Sequence, residues 1–203
     1  KGTCQLDDFE HADLILVIGQ NPATNHPRMM AALHDAARRG AKVVAINPLR
    51  ERGFTNFSDP KAVGEMLTGR GMAVAHRIVQ VRIGGDLALF KGVMKALLER
   101  DAQARASGAP RLIDEAFIAE HTTGFDALAA DLAAEPWDLL VAESGVRREE
   151  MTELAQLYAQ APATMATWCM GLTHHEHSVA TIQTLTNLLL LRGNIGRLGA
   201  GPS

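Results

Sequence analysis

Residues 14–26, Leu-Ile-Leu-Val-Ile-Gly-Gln-Asn-Pro-Ala-Thr-Asn-His, decide the fold. A short apolar run rich in β-branched residues stops at Gly19, a polar turn follows, and Pro27 opens an amphipathic stretch with Met29, Leu33 and Ala36 on one face until Gly40. This is the strand, turn and helix start of an open α/β sheet, whose ligands lie beyond the carboxyl ends of the strands. Small residues, amides and backbone N–H groups beside a helix start suit a phosphate-bearing cofactor. Neither GxGxxG nor GxxxxGK[ST] is present, so the common dinucleotide fingerprint and the P-loop are both missing.

Working outward, a second strand is expected over Lys42–Ile46, ended by Asn47-Pro48, and a third over about His76–Ile83, running into Gly84-Gly85-Asp86. Asp86 reads as the N-cap of a helix carrying Leu87, Phe90, Met94 and Leu97. Residues 49–74 read as loop, with one helical turn near Ala62–Leu67, and residues 101–113 as a surface excursion. Helices are expected over Asp114–His121, Phe125–Ala134 and Arg147–Gln160, so that 101–160 forms a helical excursion within a single unit of residues 1–203. A fourth strand, Thr164–Met170, enters the turn Gly171–Ser178. The helix after it, Val179–Arg192, is apolar on nearly every side and is expected to lie centrally buried. Alternation of strand and helix gives a doubly wound, mostly parallel sheet with helices on both faces.

Bulk properties narrow the function. A net charge of −3 with scattered Lys and Arg gives no reason to expect nucleic acid, and no apolar run, Leu188–Leu191 included, is long enough to span a membrane. No signal peptide is visible, and a cytoplasmic location is expected. Only Cys4 and Cys169 occur, with no C-x-x-C, which argues against a disulfide framework or an iron–sulfur cluster held by this chain alone. Cys169 reads as a small buried hydrophobe within its strand. His174, His175 and His177, spaced i, i+1, i+3 around Glu176, fit no common zinc pattern, and no metal site is expected.

Four strand-end turns hold the unusual residues: Gly19–His26, Asn47–Arg50, Gly84–Asp86 and Gly171–His175. In a doubly wound sheet they share one edge and could converge on one elongated ligand. Gly19, Asn21 and Asn25 would let a pyrophosphate approach the backbone. Arg50 would give a charge-assisted bond to phosphate or sugar, and Asp86 could accept two N–H bonds from a guanine edge. Taken singly, each turn is equally explained by the conformational habits of Asn, Gly, Asp and Pro.

Several phrases together resemble the molybdopterin-guanine-dinucleotide oxidoreductases. They are Gly19-Gln20-Asn21-Pro22 with Asn25-His26-Pro27, Gly84-Gly85-Asp86-Leu87-Ala88-Leu89, and Phe117-Ile118-Ala119-Glu120-His121-Thr122. The fourth is Met170-Gly171-Leu172-Thr173-His174-His175 with its continuation from Asn187 to Arg197. The likeness covers nearly the whole chain and is greatest to the formate dehydrogenase alpha-subunit branch of the group that also holds dimethyl sulfoxide reductase. It implies the α/β domain that binds the guanine dinucleotide tail of a bis-molybdopterin guanine dinucleotide cofactor carrying molybdenum or tungsten.

Carried over by position, Gly19, Asn21, Asn25 and His26 fall in the pyrophosphate and ribose turn. Asn47 and Arg50 fall in the next turn, where Asn47 replaces an acidic residue. Gly84 and Asp86 fall in the guanine-reading turn, where Gly85 stands at a position commonly Thr. Gly171, Thr173 and His174 fall beside the pterin. The resemblance also implies that this chain is part of a longer polypeptide. Its other segments would hold the metal ligand and any iron–sulfur cluster, so the excised piece would have no turnover. The intact protein would act on a small molecule, with formate leading, and pass electrons to a redox partner. Two other readings stay open: a cofactor-free structural module of a respiratory-type complex, and an unrelated nucleotide-binding α/β domain such as the central domain of thiamine-diphosphate enzymes.

Overall fold

In the computed structural model, which describes residues 3–58 and 71–203, β1 (Leu14–Ile18) is buried along its full length. A strand paired on both edges and covered on both faces has no solvent side, so its residues are apolar in succession rather than in alternation. It lies between β2 (Lys42–Ile46) and β4 (Thr164–Trp168), with Leu14 opposite Lys42 on one side and Thr164 on the other. β3 (Arg77–Val79) adds outside β2 and β5 (Gly201–Pro202) outside β4, giving an all-parallel sheet of order β3-β2-β1-β4-β5. The order reverses between β1 and β4, which makes the crevice there the place where an open α/β sheet receives ligands.

Helices cover both faces. After a 3-10 turn at Leu6–Glu10 and strand β1 come α1 (Pro22–Asn25) and α2 (Pro27–Arg39). α2 buries Met30, Leu33 and Ala36 against Ile15, Val17, Val43 and Ala45. It starts on a proline whose missing N–H costs nothing at the first helical position, and it ends on left-handed Gly40. α3 (Arg52–Thr55) follows β2. The opposite face, with Leu14, Leu16, Ile18, Val44 and Ile46, carries the larger core. Its helices are α4 (Asp86–Ala106), α5 (Glu115–His121), α6 (Phe125–Ala134), α7 (Trp137–Ser144) and α8 (Arg148–Gln160), then α9 (Met170–Thr173) and α10 (Ser178–Leu190) after β4. Ile113, Ile118, Leu132 and Leu154 belong to the same cluster as the sheet residues, so 101–160 shares the sheet's core.

Several expectations need correction. The third strand stops at Val79, not Ile83, because β2 has already turned away: Asn47 N–H bonds the Val79 carbonyl and Pro48 follows. The N-cap of α4 is Gly85, and Asp86 is the first helical residue. A Cβ at Gly85 would lie 2.6 Å from the Glu143 carbonyl oxygen, so the packed end of α7 leaves room only for glycine at this cap. The loop over 49–74 contains α3 and an antiparallel bridge between Phe57 and Met72, and the turn expected at Ala62–Leu67 lies outside the described residues.

α4 continues to Ala106 into the expected excursion, and buried Asp101 pins the following loop by accepting from the Leu112 and Ile113 amides and from Arg111. α7, opened by Pro136, and the two-residue β5 were both missing from the sequence reading. Ser144-Gly145 ends α7, with Gly145 left-handed, rather than introducing α8. α10 is one-sided: Val179 is 68% exposed while Leu185, Leu188 and Leu189 are buried. The central helix is α4, which packs against α6, α7, α8 and α10 and buries even Lys95, whose ammonium donates to the Leu132 and Ala133 carbonyls. Cys169 is half-buried and lies one residue past β4 as the N-cap of α9.

Candidate functional site

The turns after β1 and β4 touch through two glycines. Gly19 has φ +58°, a left-handed conformation that suits residues without a Cβ, and its carbonyl accepts from Gly171 N–H at 3.1 Å. A Cβ on Gly171 would meet the Gly19 oxygen at 2.4 Å, and one on Gly19 would meet the Gly171 carbonyl carbon at 2.9 Å. Two neighbouring turns can therefore approach at the backbone only because both residues lack side chains. Gln20, to which the sequence pattern assigns no role, locks this arrangement. It is buried, donates to the Thr167 hydroxyl of β4 at 3.0 Å, and its carbonyl receives the Asn47 amide at 3.5 Å. A polar residue directly after an apolar strand and a glycine was the available signal.

A cavity of about 320 Å³ opens at this junction. Of the residues expected at a site, Gly19, Asn47, Asp86, Gly171 and His174 line it together, and His175 joins them. Pro48, Ile83 and Met170 complete the wall, and Ile83 and Met170 are 76% and 53% exposed. The volume is at the small end of ligand cavities, which run from about 300 to 1,000 Å³, and fits one end of a long ligand rather than all of it.

The other expected residues lie elsewhere. Asn21 is the N-cap of α1: its Oδ1 accepts from Thr24 N–H and its Nδ2 donates to Glu51 at 2.7 Å, so its amide is committed inside the protein. Asn25, Arg50, Gly84 and Thr173 are exposed and are not part of the cavity wall; the Thr173 hydroxyl faces the Met170 sulfur at 3.6 Å. His26 faces a different and larger groove, about 960 Å³, between the 3-10 turn and α2. That groove is floored by apolar residues such as Phe9, Met29 and Ala36, and its charged residues, including Asp7, Glu10 and Arg28, all reach solvent. It lacks a buried polar group to orient a ligand.

Asp86 supplies that group in the smaller cavity. It is 6% exposed, and apart from its own backbone N–H no donor among the described residues reaches its carboxyl group. Burial pushes its pKa up to about 6, opposed by the charge of His175 and by that backbone bond. Asp101 shows the contrast. Burial again acts upward, but bonds from Arg111 and the Leu112 and Ile113 amides outweigh it, and its pKa falls below the usual carboxylate value. A buried carboxyl that the protein leaves without donors, facing a cavity, is a position prepared for donors from outside. Among the described residues, no three His, Cys, Asp or Glu side chains gather as metal ligands, and no helix is long and apolar enough to cross a membrane.

A family model for molybdopterin oxidoreductases matches residues 2–203, and the chain belongs to that family. It is 49% identical to Protein YdeP of Escherichia coli K12 over 201 residues, which cover 99% of this chain and 26% of that protein. It is 27% identical to formate dehydrogenase H of the same organism over 196 residues, covering 97% of this chain and 24% of that protein. Its fold matches acetylene hydratase from Pelobacter acetylenicus with a TM-score of 0.73 at 20% identity, over 99% of this chain and 23% of that one. The chain thus spans about a quarter of the length of these relatives.

Proposed function

We propose that this domain binds the guanine end of a molybdopterin guanine dinucleotide, as part of a longer oxidoreductase related to formate dehydrogenases. The observation that carries the reading is the buried Asp86 carboxyl, without donors from other residues, in a cavity where the turns after β1, β2 and β4 meet. An ionised carboxylate is acceptor-only, and a guanine edge offers two adjacent N–H donors, so the two are complementary in charge and valence. Ile83 and Met170 give apolar faces for a flat ring, and the Gly19–Gly171 contact keeps side chains out of the path by which a phosphate-linked tail would leave the cavity. Arg50, exposed beyond β2, is free to meet a phosphate outside the cavity.

The cofactor, when bound, supplies two-electron chemistry at its metal, with molybdenum or tungsten held by ligands from the rest of the polypeptide. The work of this chain is to hold and orient the tail. Formate is the leading substrate on the relationship to formate dehydrogenase H, and any iron–sulfur cluster would belong to other segments. In the full-length protein, Asp86→Ala removes a charged acceptor worth about 1.5–3 kcal/mol per bond, enough to lower cofactor affinity ten- to a hundredfold. Molybdenum content and guanine nucleotide released on acid treatment should both fall. Content equal to wild type in a folded variant would refute the assignment.

A further inference from the structure

The Asp86 cavity contains two further ionisable groups, His174 and His175, that the reading above leaves without a task. His174 and His175 enter it from the turn after α9, Arg50 lies beyond β2, Arg82 precedes Asp86 on its own loop and bonds the Ala142 carbonyl, and Glu143 stands at the end of α7. His175 shares the cavity with Asp86, where a positive charge opposes the effect of burial on the carboxyl. It is half-buried and lines the same wall as the carboxyl. We propose that His175 is a positioning residue that sets the charge of Asp86, tying capture of a ligand's paired N–H donors to release of a proton.

The proposal rests on the guanine reading of this cavity, and its sign follows from hydrogen-bond valence. A protonated carboxyl presents a donor to the ligand's donors, so the proton must leave before both N–H groups can be accepted. Below the Asp86 midpoint near 6, each pH unit should weaken binding about tenfold, and above it binding should level off. A positive charge at position 175 favours the carboxylate and draws that midpoint down. Removing it should raise the midpoint by up to about 1 pH unit, and a permanent cation should lower it.

The test is calorimetric titration of cofactor-free, full-length protein with GDP between pH 5 and 8, in buffers of differing ionisation enthalpy to count protons. About one proton should be released per GDP at pH 5 and none at pH 8. The midpoint should move up in His175→Gln and down in His175→Arg, and Asp86→Asn should lose the pH dependence. A histidine that merely packs would move affinity but not the midpoint. GDP binding with the same midpoint in wild type, His175→Gln and His175→Arg overturns this inference and leaves the guanine reading intact. Failure of wild-type protein to bind GDP at any pH overturns both.

Discussion

Asp86 and Asp101 are both nearly inaccessible, yet they act on stability in opposite directions because only Asp101 has donors from other residues. For Asp101, whose folded pKa is depressed, the contribution is present above the unfolded value of 3.8 and is lost as pH falls through the folded one. For Asp86, whose folded pKa is raised, the unfolded chain ionises first. Stability therefore declines as pH rises from 3.8 to about 6, and the penalty persists above that. Its size is on the order of 2–3 kcal/mol. Asp86→Asn should accordingly make the cofactor-free full-length protein more stable at pH 8, with the gain vanishing toward pH 4. Chemical denaturation across that range measures it, and a variant no more stable than wild type at pH 8 would contradict the account.

Among the elements, the pair of turns after β1 and β4 has the least tolerance. Gly171→Ala would drive a methyl group against the Gly19 carbonyl at 2.4 Å, and since backbone meets backbone neither side can give by rotating a side chain. A cost of about 1–3 kcal/mol is expected, with the two turns forced apart and Gln20 pulled from Thr167. Unfolding curves check the first, and weaker cofactor retention checks the second. Gly40→Ala is a fitting control: the same change at a left-handed helix end with no atom within 4 Å should destabilise without affecting retention. The same kind of contact explains Gly85, where family resemblance would favour Thr. With the Glu143 oxygen 2.6 Å from a Cβ position, α7 has closed over the spot that a larger residue would fill.

For the whole molecule, the closing phrase around Asn194 works at the amino-terminal edge of the sheet, away from the cavity. Asn194 is fully buried. Its Oδ1 accepts from Thr164 N–H of β4 and from Arg197, and its Nδ2 donates to the Tyr158 hydroxyl, which itself donates to the Leu188 carbonyl. This one side chain joins β4 to α8 and, through the Tyr158 hydroxyl, to α10. Asn194→Ala strands the Thr164 amide and removes a donor from Tyr158, each worth about 1–3 kcal/mol if left unpaired, and should cost more than Tyr158→Phe. Thermal denaturation of the two variants ranks them, and the reverse order would refute the network's assigned weight.

The sequence by itself determined the central strands and α2, because strand burial on both faces demands an unbroken apolar run and helix burial demands a 3.6-residue stripe, and both are local patterns. It also held the strand-end turns, since glycine and proline leave marks independent of context. Tertiary structure alone decided the rest. β5 is Gly-Pro with no strand tendency of its own and exists because Met165 and Ala166 offer it a partner. Which turn residues meet was equally beyond local reading: Asn21 is consumed by Glu51 and His26 is turned toward the α2 groove, whereas Asp86 is brought to Gly19 and Gly171 across the sheet. Residues 67 and 152 positions from Gly19 become neighbours only through strand order and register, and those are fixed by the packing of both faces at once.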